Sequence, residues 1–364
     1  MKIKNLSDLI ALRRLEKLQF VEIDADNFLE GNLPFYIIKY ALWACKANGL
    51  VTVTAISTVK SVTLVTGKHS FQLLTQTFCK AAKNLGEIIE YNIDERKIIF
   101  KRTKDNSINN KWSAAIMFSG ITAELEQLEK CINGLRAQPE LNDDGQIAVC
   151  GPSHCRDFVV DNFNVEYIIY EPEIFYGRLM ICRKKNYAIA HLKNERILIC
   201  HTRIVLRPGS LASMPAEFDV CTPSVYIKNH KQELPYLDLG FVSLKSENIA
   251  GGGVVVPAFY NRKNWMKYLK IYKPYIDGGI FCVSRSLALK MPMADVVAWG
   301  EAEDVEWSLR LLNSGHIVEL ILDSSADSIT CKMPKYKKYG HTIIYRIGSK
   351  IKKYVMILLP RLCG

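Results

Sequence analysis

Residues 112–152 contain two short runs that are apolar almost throughout, WSAAIMFSGI and QIAVCGP, separated by the amphipathic stretch ELEQLEKCINGLRAQ. A strand with no polar side has to be covered on both faces. Strand, helix and strand in this order therefore predict a parallel sheet with helices above and below it. EYIIYE at 166–171 and ILICHTRIVL at 197–206 read as further strands of the same sheet. Ligands of open sheets of this kind bind beyond the carboxyl ends of the strands. Here those ends carry Ser119, Gly120, Gly151, Glu171 and the trio His201, Thr202 and Arg203.

At 364 residues the chain is longer than one ordinary core. The polar stretch TKDNSINNKW at 103–112 reads as a linker. Upstream of it FYIIKYALWACKANG is a predicted helix closed by Gly49 and LVTVTAI a strand; SFQLLTQTFCKAAKNLG is a helix closed by Gly86 and EIIEYNIDERKIIFKR a strand pair. The expected division is a small α/β domain at 1–105, a main α/β domain at 112–335, and a tail at 336–364.

The net charge of +11 is concentrated in that tail: no acidic residue follows Asp327, while nine Lys and Arg do. Ile344, Ile347, Ile351, Tyr354, Val355 and Leu358 recur there at helical spacing, beside Arg346, Lys350 and Lys353. A basic amphipathic helix of this kind suits an anionic membrane surface, or packs its stripe on the body; both readings stand. The body is nearly neutral and carries no recognisable nucleic-acid signature, which argues against a nucleic-acid partner. The 11 cysteines are scattered through apolar strings with no CxxC pair, as buried thiols of a reducing compartment would be. With no secretory signal in MKIKNLSDLIALRRLEKL, the expected location is the cytoplasm, peripheral on the inner face of the cell membrane if the tail binds it.

VVAWGEAEDVEWSLRL at 296–311 sets Glu301, Glu303, Asp304 and Glu306 between Trp299 and Trp307. One reading is an acidic helix start with tryptophans buried for packing. The other is a catalytic carboxylate site. IMFSGI, ICRKKNYAIAHLKNERILICHTRI, DGGIFCVSRSLA and WGEAEDVEWSLRL, taken in order, resemble the nucleotide-sugar glycosyltransferases of GT-A fold, family-2-like, of the sort that build bacterial surface polysaccharides. The resemblance covers roughly residues 112–335. The upstream run EKLQFVEIDADNFLEGNLPFYIIKYALWACKANGLVTVTAI is similar to the latter half of a class I methyltransferase. The glycine-rich cofactor turn of that family has no counterpart in this sequence, so the expectation is a non-catalytic relic.

The resemblance implies a sugar passed from a nucleotide-sugar donor to a glycan or lipid-linked acceptor, with inversion and with a carboxylate as base. Asp304 is the expected base, Glu303 an acceptor ligand, and Glu301 the substitute should the register differ by a turn; Trp299 offers an aromatic face. Donor contacts fall on Ser119, Gly120, Glu171, Lys185, Asn186, His201 and Arg203, and the acceptor-side loop on Asp277, Gly278 and Gly279. Many relatives hold Mg²⁺ or Mn²⁺ on aspartates where this chain has Thr202. That leaves the metal open: His201 or His341 as ligand, or Arg203 neutralising the diphosphate directly. A catalytically silent scaffold that binds nucleotide sugar or glycan is the alternative.

Overall fold

The computed structural model describes residues 1–13, 15, 17–55, 67–103, 111–142, 144–229, 232–243, 255–257 and 262–331. Most of the predicted linker, the glycines at 251–253, and the basic tail with His341 lie outside the described residues.

The first five strands are β1 (Lys2–Ile3), β2 (Leu18–Asp24), β3 (Cys45–Thr54), β4 (Gly86–Asn92) and β5 (Lys97–Arg102). They form a mixed sheet in the order β1-β2-β3-β5-β4, parallel across β1 to β3 and antiparallel from β3 onward. Helices α1 (Leu6–Leu12), α2 (Leu33–Ala44) and α3 (Gly67–Ala82) accompany it. The helix expected to run to Gly49 ends at Ala44, because Cys45 is already extended and opens β3. Gly49 lies inside that strand, where a Cβ would stand 2.9 Å from the Leu18 carbonyl oxygen. The turn after α3 uses Asn84 in the left-handed region, with φ of 66°, and Gly86 begins β4.

The body contains β6 (Trp112–Met117), β7 (Gln146–Gly151), β8 (Glu166–Ile169), a small hairpin of β9 (Ile174–Phe175) and β10 (Arg178–Leu179), then β11 (Arg196–His201), β12 (Ile204–Leu206), β13 (Val220–Asn229), β14 (Gln232–Pro235), β15 (Leu239–Ser243), β16 (Val255–Pro257), β17 (Tyr272–Ile276), β18 (Ile280–Ser284) and β19 (Val318–Ser328). The large sheet runs β12-β19-β13-β18-β11-β6-β7-β8, with β14 added on β13. Strands β8, β7, β6 and β11 are parallel, as their apolar runs predict, and β18 enters antiparallel beside β11. Helices α4 (Leu125–Arg136), α5 (Arg156–Phe163), α6 (Ile181–His191), α7 (Arg285–Lys290) and α8 (Glu303–Asn313) complete the body. Its architecture is mixed α/β.

Alternate residues of the central strands feed two cores. Ala115, Met117, Ile197 and Ile199 join one cluster; Ala114, Ile116, Leu198 and Cys200 join the other. The first cluster continues into α2, whose Tyr36, Ile37, Ile38, Ala41 and Leu42 are all buried. A helix buried on every side is one enclosed between two layers.

Among the described residues four ion pairs cross between the first 102 residues and the body: Arg13 with Glu319, Lys39 with Asp219, Arg102 with Glu217, and the more exposed Lys270 with Glu30. Arg13 meets Glu319 twice, at 3.0 and 2.8 Å, and the Tyr40 hydroxyl donates to the same carboxylate at 3.0 Å. Removing one member of a buried pair strands the other without solvent and costs about 3–5 kcal/mol. Glu319→Ala is accordingly expected to lower the unfolding free energy by about that much in a denaturant titration. Lys2→Ala, which removes the exposed pair with Glu22, should leave the same curve unmoved.

Candidate active site

The ends of β11 and β18 meet because these strands are antiparallel neighbours, with Cys200 opposite Ile280. The His201 amide donates to the Gly279 carbonyl at 3.0 Å, which fixes the turn 277–279 against the turn 201–203. At this edge ILICHTRIVL is not one strand: it breaks at Thr202 and Arg203, which turn the chain from β11 into β12. Thr202 is buried. The Arg203 guanidinium lies 3.9 Å from Asp277 Oδ2, and a Cβ on Gly279 would sit 2.4 Å from its Nη2, so a side chain there would displace the guanidinium from this position. Arg203 Nε is buried without a hydrogen-bond partner.

Helix α8 enters the same place. Gly300 and Ala302 both take left-handed conformations, with φ of 83° and 61°, and swing the chain so that Glu303 and Asp304 open the helix. The Gly278 amide donates to Asp304 Oδ2 at 3.0 Å, and the Val305 amide to Oδ1 at 2.9 Å. Burial, with the charges of Asp277 and Glu303 close by, raises the Asp304 carboxyl to about 6 against the pull of the Gly278 amide and Lys185. Tyr275 is pushed upward too, by burial and then by Asp304 and Asp277.

Lys185 is the counter-charge of this carboxylate group. It lies in the middle of α6, where ICRKKNYAIAH buries Ile181, Cys182, Ala188 and Ile189 at helical spacing. Lys185 and Asn186, expected as donor contacts, therefore both lie inside a helix. The Lys185 ammonium is buried and donates to the Gly278 carbonyl at 2.9 Å. Burial lowers its pKa, while Glu303 and Asp304 oppose that. Enclosed in this way, it holds the turn 277–279 against α8. Lys184 donates to the Phe118 carbonyl, so one turn of α6 ties the end of β6 to the acidic cluster.

Ser119, Gly120 and Glu171 stand along the same strand-end edge, knitted to their own loops. The Ser119 amide donates to Glu124, Gly120 at φ of 86° packs against Pro152, and Glu171 accepts from the Ser153 amide at 2.9 Å; the Ser153 side chain first, and then this amide, lower its pKa. Asn186 holds the loop after α7 instead, through Met293 and the Asp295 carboxylate. Glu301 accepts from the Ala298 amide at 3.0 Å and pairs with Arg178 on the hairpin. Trp299 is exposed, whereas Trp307 is core, packed on Phe281 with its indole N–H on the Met291 carbonyl. Glu306 pairs with Arg310. His201 is at the site edge; His341 lies outside the described residues. Among the described residues no three His, Cys, Asp or Glu side chains gather as a metal-binding group.

Two residues escaped the sequence reading. Tyr275 precedes Asp277 by two positions in KPYIDGG, a spacing that puts both on one side of an extended segment. Asp238 accepts the Asp277 amide on its carbonyl at 2.7 Å, and its buried carboxylate, raised to about 6 by burial against the pull of Arg262, steadies the loop from behind. No local motif marks it.

No family model matches the chain, and no curated protein matches it. Solved structures similar to it include S. aureus TarS 1–349 in complex with UDP, at 10% identity and a TM-score of 0.41 over 63% of this chain and 62% of that one. The chain thus spans less than two thirds of that TarS fragment. GalNAc-T7 with UDP, GalNAc and Mn²⁺ is similar at 13% identity and a TM-score of 0.47, over 84% of this chain and 59% of that one. The inositol-1-phosphate CTP transferase from T. maritima is similar at 15% identity and 0.36, over 67% and 98%. With every TM-score below 0.5, none of these likenesses assigns a function to the site.

Because the Asp304 carboxyl is raised, the fold favours its protonated form. That stability is fully present below the ordinary carboxylate range and is lost as pH rises to about 6. Relative to the wild type, Asp304→Asn should therefore gain on the order of 3 kcal/mol between pH 4 and pH 7. Unfolding titrations of both proteins across that range check it.

Proposed function

We propose that the chain is a glycosyltransferase that moves a sugar from a nucleotide-sugar donor to a hydroxyl of a glycan or lipid-linked acceptor. The observation that carries this reading is the pairing of a buried carboxylate raised to about 6, Asp304, with an enclosed guanidinium, Arg203, on two turns joined through Asp277–Gly279. Displacement at an anomeric carbon needs these two charges on one site: a base for the attacking hydroxyl and a cation for the departing diphosphate.

In this reading the acceptor oxygen attacks the anomeric carbon and its proton passes to Asp304. The bond from that carbon to the diphosphate oxygen breaks, and the leaving group departs with the electron pair. Arg203, with Nε buried and no hydrogen-bond partner on it, takes up the developing charge through its planar fork. One displacement inverts the configuration. Glu303 orients the acceptor, Ser119, Gly120 and Glu171 line the donor side, and Lys185 and Tyr275 set the environment of Asp304. Thr202 supplies no carboxylate, so the cation that the chain itself brings to the diphosphate is Arg203. Residues 1–105 act as a buttress without chemistry of their own.

A base near 6 has to be ionised to act, so kcat/KM should fall about tenfold per pH unit below that value and flatten above it. Asp304→Asn is expected to lower kcat by about 10²–10⁴ with donor affinity retained, while Arg203→Ala raises the donor KM. Release of nucleoside diphosphate from a nucleotide-sugar panel is the readout. Full activity in Asp304→Asn would remove the base assignment.

A further inference from the structure

The hairpin β9–β10 leaves the sheet directly after β8, on the edge where the proposed site lies, and shows what the fold does not require. Its register, Phe175 opposite Arg178 and Ile174 opposite Leu179, leaves a two-residue turn of Tyr176 and Gly177, both left-handed, with φ of 48° and 74°. Asn or Gly suits the first of those positions, and a large aromatic residue is disfavoured there. Tyr176 is nonetheless 90% exposed, Ile174 70% and Phe175 59%.

Consecutive residues of a strand point to opposite sides, so this tip is apolar all round. A flat protein partner covers one side of such a tip; a fluid apolar medium surrounds it. Beside it stands a second apolar prong, Trp299 at 53% and Val296 at 81% exposure, tied to the hairpin by the Trp299 amide on the Leu179 carbonyl at 2.9 Å. The charges at the base are cancelled in pairs, Arg178 with Glu301 and Arg183 with Glu173, each at 2.5 Å. Exposed Ile and Val argue against a sugar-stacking surface, which uses aromatic faces.

We infer that the Ile174–Phe175–Tyr176 tip and the Val296–Trp299 turn form a membrane-docking element that enters the interfacial layer of an anionic bilayer. Tyrosine and tryptophan favour that layer, where the ring is buried and the polar atom stays wet. Charge complementarity fixes the kind of lipid. The Ile329 amide donates to the Arg203 carbonyl, so β19 ends on the strand-end side of the sheet, and the sequence beyond Cys331 carries nine Lys and Arg and no acid. A site beside such an element would meet acceptors presented at the headgroup level. The docking claim stands apart from the reaction proposed above.

The test is flotation of the full chain with vesicles of phosphatidylcholine alone and of phosphatidylcholine with phosphatidylglycerol. The wild type should float with the anionic vesicles. Phe175→Ser with Tyr176→Asn, a pair that keeps a residue suited to the turn, should reduce the bound fraction at least tenfold without changing the melting temperature. Bromine-labelled lipid should quench tryptophan emission in the wild type, and less so in Trp299→Phe. Flotation of the double variant equal to that of the wild type would overturn the inference, as would a wild type that binds neither vesicle. Saturable quenching of Trp299 by soluble oligosaccharides, with no vesicle binding, would reassign the surface to glycan. Since no transfer reaction is read, failure here leaves the Asp304 assignment where it was.

Discussion

A single buried ammonium organises the site. Lys185 rises from the middle of α6, donates to the Gly278 carbonyl, and lies in the field of Glu303 and Asp304. Two like-charged carboxylates at a helix start, with Asp277 beside them, repel one another in a poorly solvated place; one enclosed positive charge makes the arrangement tolerable. The same contact positions the Gly278 amide that holds Asp304. From this point the geometry propagates outward. The turn 277–279 fixes His201 and lies against Arg203, and Lys184, one residue earlier, reaches the end of β6.

The first 102 residues contribute at a distance. Their α2 is enclosed between the five-stranded sheet and the body, and the pairs through Arg13, Lys39 and Arg102 end on Glu319, Asp219 and Glu217. Those acids lie on or just before β19 and β13, the parallel neighbours whose far ends deliver Ile329 and the loop around Asp238 to the site edge. Pinning the near ends of these strands sets the reach of the far ends. The first 102 residues can in this way bear on how closely Arg203 stands to Asp277.

The sheet was legible because its signal is local and redundant. WSAAIM, QIAVCG and ILICH are apolar at all but one position each, a pattern that burial on both faces satisfies. The pieces of the site were legible one by one: HTR at a strand end, DGG before a strand, ED at a helix start. Their convergence was not, because it depends on β18 pairing antiparallel with β11 and on the left-handed turn through Ala302, neither of which leaves a mark in sequence spacing. The burial of Lys185 is not legible either, since nothing in KKN tells a surface lysine from one sealed beneath a turn. Asn186, Glu301 and Trp307 carry the right chemistry in the right motifs, yet each serves its own loop or core. Helix ends misread at Gly49 show the same limit: glycine marks a close approach as readily as it marks a cap.

The account stands on Arg203 and Asp304 belonging to one donor-binding site, and a thermal-shift series tests that most directly. Wild type and Arg203→Ala would be heated with a panel of nucleotide sugars, with and without Mn²⁺, and with S-adenosylmethionine as a control. A ligand at 100 times its Kd adds about 2.7 kcal/mol of stability. The account predicts a shift with one class of nucleotide sugar in the wild type that Arg203→Ala loses. No shift with any nucleotide sugar, or a shift that survives the loss of Arg203, would contradict it.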